Sequence, residues 1–181
     1  MVVLVAYATR HGATAGIAER LAAGLCDNAI PAVPMPVGEV RDVRAHDAVV
    51  LGGAAYTFHW LKDATSFARR NRVALRERPV WLFSSGPLGT DLVDKDGRDV
   101  METCRPKEFD ELTPLLRARG ERVFFGAYDP AAPPETVGEH MFALLPHARA
   151  ALPAGDFRDW SAIDLWAGEI AAALAADVSR P

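Results

Sequence analysis

The sequence predicts an α/β domain built on a doubly wound, five-stranded parallel sheet in the order 2-1-3-4-5, with an insertion after the fifth strand. Three observations predict it. Short continuous apolar runs alternate with segments of helical periodicity, the pattern of strands covered on both faces by crossover helices. The second extended segment carries Pro31, Pro34 and Pro36; proline removes ladder donors and suits only a sheet edge. The turns after the first, third and fourth strands are rich in small and hydroxyl residues. This strand order gathers them at the carboxyl ends of the strands, where ligands bind at a switch point.

Val2 to Tyr7 reads as the first strand and Thr14 to Leu25 as the first helix, with Ile17, Ala18, Leu21 and Leu25 on its apolar face. Ala29 to Val37 is the proline-bearing edge strand. Asp47 to Gly53 is a buried strand that ends in two glycines. Leu61 to Arg76 is an amphipathic helix, with Phe67 and Leu75 among its apolar positions. Pro79 to Phe83 is the next strand, followed by the turn-rich Ser84-Ser85-Gly86-Pro87-Leu88-Gly89. A polar loop from Thr90 to Arg105 carries the turn signal Asp94-Lys95-Asp96-Gly97. Pro106 to Arg119 is helical despite Pro114, with Gly120 as its stop. Arg122 to Tyr128 is the fifth strand, and Thr136 to Arg149 carries a helical pattern after a proline-rich turn. The final helix runs from Trp160 to about Ala176. Ser161 with Asp164 forms a capping box there, and Trp160 staples onto Leu165.

The chain has 181 residues and half of them are apolar, enough for one sizeable core. No repeat or low-complexity linker divides it, so residues 1–181 are read as a single domain. The net charge of −4 includes no basic block, which argues against a nucleic-acid partner. Cys26 and Cys104 lack metal-like spacing and read as reduced thiols of a cytoplasmic protein, Cys26 packed and Cys104 in an exposed loop. No metal site is expected, since His46, His140 and His147 form no ligand pattern either. Met1 to Ala6 is too short for a signal peptide, and no apolar run approaches the roughly 20 residues of a membrane span. Peripheral membrane contact remains open. Arg69, Arg70, Arg72, Arg76 and Arg78 read as a solvated basic helix face.

The three convergent turns carry the chemistry. Thr9-Arg10-His11-Gly12-Ala13-Thr14 joins a strand to a helix N-terminus. The first-turn N–H groups there have no intrahelical partner, and the helix dipole favours an anion. Thr9 and Thr14 add hydroxyls and Arg10 adds charge. Gly52 to Trp60 combines small residues with Tyr56, Phe58, His59 and Trp60. Ser84 to Gly89 offers serine, glycine and backbone groups. A planar, aromatic, phosphorylated ligand uses all three: rings stack on its face, glycines admit close backbone approach, and the hydroxyl turn takes the phosphate. His11 and His59 lie in these loops and could donate a proton, although a loop histidine is more often solvated or capping. No catalytic residue is assigned.

Three segments carry a resemblance over essentially the whole chain: Ala8-Thr9-Arg10-His11-Gly12-Ala13-Thr14, Gly52-Gly53-Ala54-Ala55-Tyr56, and Asp156-Phe157-Arg158-Asp159-Trp160. The chain resembles flavodoxin-like proteins that bind flavin mononucleotide (FMN). Within them it resembles the group containing the menaquinone-dependent protoporphyrinogen dehydrogenases. The resemblance implies that Thr9, Arg10, His11, Gly12, Ala13 and Thr14 surround the phosphate. It implies Ala54, Ala55, Tyr56 and Trp60 along the isoalloxazine, and Ser84, Ser85, Gly86 and Pro87 at its pyrimidine side or ribityl chain. Tyr56 and Trp60 are the favoured stacking rings, with Phe58 in the core.

The implied function is an FMN-dependent oxidoreductase with a place in heme biosynthesis. Its electron donor and acceptor are unidentified, a quinone or a redox protein being candidates. Two alternatives stay open: a one-electron carrier between redox proteins, and a non-enzymatic interaction module that has lost the flavin. A homodimer is compatible with either. The family's membrane-associated members carry a basic, aromatic insertion after the fifth strand. Here Tyr128 to Asp156 sets Asp129, Glu135 and Glu139 against Arg149, and offers Met141, Phe142, Leu144 and Leu145 as an apolar face.

Overall fold

The computed structural model describes residues 1–133 and 152–178. The predicted helix at Thr136 to Arg149 lies outside them, as do His140 and His147. The elements are β1 (Val3–Ala8), α1 (Ala13–Asp27), β2 (Ala32–Pro36), a 3-10 turn (Val43–Ala45), β3 (Ala48–Tyr56), β4 (His59–Trp60), α2 (Lys62–Arg70), α3 (Arg72–Arg76), β5 (Val80–Ser85), α4 (Val100–Thr103), α5 (Phe109–Leu116), β6 (Gly120–Phe124), β7 (Ala127–Tyr128), β8 (Gly155–Asp156) and α6 (Trp160–Val178).

The main sheet is ordered β2-β1-β3-β5-β6, all neighbours parallel, as predicted. Among the described residues β2 pairs only with β1, so Pro34 and Pro36 stand at the edge, where a missing N–H leaves no partner unserved. Alternate residues of each strand enter two cores. Leu4, Ala6, Val49, Leu51 and Leu82 meet α2, α3 and α5 on one face. Val3, Val5, Val50, Trp81 and Phe83 meet α1 and α6 on the other. That two-sided burial explains why the strands read as continuous apolar runs. α1 and α6 approach closely where Gly24 faces Ala167; a Cβ at Gly24 would lie 2.8 Å from the Ala167 methyl.

Several boundaries differ from expectation. The Leu61 to Arg76 helix is two helices, broken at Asn71, whose side chain donates to the Phe67 carbonyl at 3.0 Å. Gly120 begins β6; the preceding helix ends three residues earlier at Arg117, in the left-handed region with φ 55°. The fifth strand stops at Phe124, and residues 127–128 instead pair antiparallel with Gly155–Asp156. That small second sheet closes the base of the insertion.

At the start of α6 the cap is Asp159, which accepts from the Ala162 N–H at 3.0 Å. Asp164 is engaged by Arg20 and Leu165 is 67% exposed, so neither the capping box nor the staple forms. The thiols are reversed: Cys26 is exposed and Cys104 half-buried, and burial pushes the Cys104 thiol up. Arg78 is half-buried and does not belong to a solvated face; it donates to the carbonyls of Ala74, Val43 and His46 at 2.7–2.9 Å and ties α3 to the 3-10 turn. Among the described residues no helix is long and apolar enough to cross a membrane, and no cluster could hold a metal ion.

Candidate functional site

The three turns meet. Arg10 of the first lies over the Tyr56 ring of the second, 4.7 Å from its centroid. Thr14 of the first and Ser85 of the third share a buried hydroxyl–hydroxyl hydrogen bond of 2.7 Å. A Cβ at Gly86 of the third would stand 3.4 Å from both the methyl and the carbonyl oxygen of Ala55 in the second. Strand register explains the meeting: Ala8 pairs with Gly53 and Ala54 with Ser85, so β1 and β5 end at adjacent positions of β3, which runs on to Tyr56.

In the first turn Gly12 is left-handed at φ 82° and stands as the N-cap of α1. Its N–H donates to Thr9 Oγ1 at 3.1 Å, and among the described residues no side chain caps the helix. Among the described residues, no atom lies within 4 Å of where a Cβ at Gly12 would sit. A helix N-terminus without a side-chain cap, beside open space and next to Arg10, is arranged to receive an anion. Thr14 is fully buried beneath that turn.

The second turn is a two-residue hairpin. Tyr56 pairs with His59, and Thr57 (φ 50°) and Phe58 (φ 65°) both occupy the left-handed region. Two positive φ values in a two-residue loop are the signature of a type I′ turn, normally served by Asn-Gly. Threonine and phenylalanine there store backbone strain of about 1–3 kcal/mol each. The surroundings compensate. Glu108 at the head of α5 accepts from the Trp60 N–H and bonds His59 Nδ1, each at 2.9 Å, and the Lys107 N–H donates to the Phe58 carbonyl at 3.0 Å.

The hairpin reverses the aromatic assignment. Trp60 is 3% exposed and packs edge-to-face on Phe109, with Nε1 donating to the Gly53 carbonyl at 2.9 Å. Its ring is committed to the core and is not on the exposed side of the turn. Tyr56 and Phe58 are the exposed rings, at 38% and 49%. Alternation along β3 and β4 does this: Trp60 pairs with Ala55, one residue from the turn, and points inward. The third turn is also more interior than expected. Ser84 is fully buried, its hydroxyl without a partner among the described residues, and Ser85 serves Thr14. The Gly86 N–H is directed at the Phe124 carbonyl at 3.3 Å. Sequence reasoning missed Glu108 as the anchor of the aromatic turn; a lone acid at a helix start carries no signal of a partner 48 residues away.

Burial raises the Glu108 carboxyl, but hydrogen bonds from Trp60 and His59 outweigh it and leave the group below its usual range. A depressed folded-state value means stability that is complete above the unfolded value and lost as pH falls through the folded one. Wild type is therefore expected to exceed Glu108→Gln in stability at pH 7 by about 1–2 kcal/mol. The gap should close as pH falls below about 4. Urea midpoints at pH 7, 5 and 3 check this; a gap that widens in acid contradicts it.

A family model described as Flavodoxin domain matches residues 4–130. No curated protein matches the chain significantly. Similar solved structures include the rubredoxin oxygen:oxidoreductase of the anaerobe Desulfovibrio gigas, at 13% identity and TM-score 0.62, covering 99% of this chain and 37% of that one. The chain thus spans little more than a third of that protein's length. A flavodoxin from the domain Archaea matches at 14% identity and TM-score 0.53, covering 83% of this chain and 92% of that one. The flavodoxin of Streptococcus pneumonia TIGR4 matches at 14% identity and TM-score 0.55, covering 95% and 99%. At such identities the likeness is one of fold.

Proposed function

We propose that this chain, which belongs to the flavodoxin domain family, binds FMN at the three joined turns and works as an oxidoreductase. The observation that carries the reading is their interlocking, through Arg10 on Tyr56, Thr14 on Ser85, and Gly86 against Ala55. The residues fit the group. An anion-ready helix start stands beside exposed aromatic rings, the two needs of a phosphorylated planar ligand.

Thr9, Arg10, His11, Gly12, Ala13 and Thr14 hold the phosphate. Ala54, Ala55 and Tyr56 line the ring, with Phe58 in the place expected of Trp60. Gly86 and Pro87 border it, and Ser85 acts from behind through Thr14. FMN supplies the hydride and electron chemistry when bound; the chain's residues position it and set its electrostatic surroundings.

The finer reading is a two-electron dehydrogenase resembling the protoporphyrinogen-oxidising group, passing electrons to a quinone or a redox protein. A one-electron carrier is the rival. The exposure of Tyr56 and Phe58 at a hairpin tip favours it, because a protein surface can reach rings placed there. Incubation with excess FMN, desalting and visible absorption test the cofactor, and anaerobic photoreduction separates the two readings. Retained flavin that bleaches in one two-electron stage supports the dehydrogenase. Bleaching in two separated one-electron stages supports the carrier. Protein that retains no flavin, and binds none at micromolar concentration, overturns both and leaves an interaction module.

A further inference from the structure

Arg158 follows the small β7–β8 sheet and reaches back to the phosphate turn. Its Nε and Nη2 donate to the two carboxylate oxygens of Asp156 at 2.7 and 2.6 Å. The remaining Nη1 donates to the carbonyl of Ala13, the first residue of α1, at 3.3 Å. The guanidinium lies over the Trp160 ring, 4.5 Å from its centroid, and the side chain is 18% exposed. One turn along α1 stands Gly16, where a Cβ would collide with Nη1. The fork, the stacked ring and the missing side chain fix one guanidinium position from three sides.

A lone cation beside the first turn of a helix opposes the helix dipole. Here Asp156 neutralises it, and the same bond holds the Asp156 carboxyl below its usual range. The pair therefore leaves the helix start attractive to an anion while bracing its first residue. It also joins the turn to β8, the strand that closes the insertion.

We infer that Arg158 is a positioning residue for the phosphate turn: strapped by Asp156 and seated over Gly16, it holds the first turn of α1 in the arrangement that receives the FMN phosphate. This rests on the FMN reading above. Arg158 acts through the Ala13 backbone, so its loss should affect the phosphate and spare the ring.

The test compares FMN with riboflavin, which lacks the phosphate, on the full chain. Arg158→Ala is expected to weaken FMN by about tenfold and to leave riboflavin within about twofold. Arg158→Lys keeps the charge without the fork and should behave like Arg158→Ala. Full recovery of FMN binding by lysine overturns positioning in favour of simple charge. Gly16→Ala displaces the guanidinium without altering it. It should reproduce the loss, and add nothing in the Arg158→Ala background. Equal effects on FMN and riboflavin, or none on either, overturn the inference. Amide exchange at residues 13–17 of the flavin-free protein gives a second readout, expected to quicken in Gly16→Ala and in Arg158→Ala. Unchanged exchange also overturns the strap. Wild type that binds neither flavin is the failure of the FMN reading, and the exchange measurement still decides the strap.

Discussion

Gly52→Ala is expected to cost about 3 kcal/mol or more, since overpacking a tight core typically costs about 1–3 and the obstacle here is rigid. Gly52 lies on the central strand β3, paired with Tyr7 on one side and Phe83 on the other. A methyl at Gly52 would fall within the Phe83 ring. That ring is fully buried and held edge-on by Phe124 and Trp166, with centroids 6.3 Å from each. It has nowhere to go. Gly38 is the control: no described residue lies within 4 Å of its missing Cβ, so Gly38→Ala should change stability by no more than about 0.5 kcal/mol. Equilibrium urea unfolding of both variants checks the contrast. Phe83→Leu should restore part of the loss in the Gly52→Ala background, as expected for residues in direct contact. Near-wild-type stability of Gly52→Ala would mean that β3 and β5 do not meet in this register.

The same glycine pair shows where sequence reading reached and where it stopped. The strand order was legible because proline marks an edge and continuous apolar runs mark burial on both faces; neither depends on distant partners. Gly52 and Gly53 were legible as places of close approach, but what approaches was not. By composition they read as room for a ligand. Gly52 instead makes room for Phe83, and Gly53 for Trp60, whose Nε1 would stand 2.7 Å from an added Cβ. Composition cannot separate a glycine that admits a ring from within the protein from one that admits a ligand.

The exchange of Trp60 and Phe58 has a similar cause. An extended run puts alternate residues on opposite faces, but a two-residue turn at Thr57-Phe58 resets the alternation, and no glycine or asparagine announced that turn. At α6 the cap is Asp159 and not Ser161, because serine and aspartate cap equally well and residue type alone does not place the helix start. The geometry of the first turn was the most legible, because strand, glycine and helix start follow one another locally. Its support was not: Ser85 and Arg158 lie 71 and 145 residues away from the groups they hold.

Thr14→Val is expected to weaken FMN binding by about 10- to 100-fold, the cost of losing one hydroxyl donor to a charged phosphate. The chain should also lose about 1–3 kcal/mol of stability, because the Ser85 hydroxyl is left buried without its partner. Both follow from one bond, the 2.7 Å contact between Thr14 Oγ1 and Ser85 Oγ, with both residues at most 3% exposed. When one hydroxyl donates to the other, a proton remains for a third acceptor. Two buried hydroxyls beside an anion-ready helix start can direct it at the phosphate. The two costs can be separated. Thr14→Ser keeps the hydroxyl and should retain most of the affinity. In Thr14→Val with Ser85→Ala no hydroxyl is stranded, so stability should recover while FMN affinity stays low. Titration with FMN and with riboflavin reads the first effect, with riboflavin expected to be nearly unchanged; urea unfolding of the flavin-free protein reads the second. If the double variant recovers FMN binding together with stability, the Thr14 hydroxyl braces the turn and does not touch the phosphate. That outcome would leave Thr9, Arg10, His11 and the helix N–H groups to hold the phosphate.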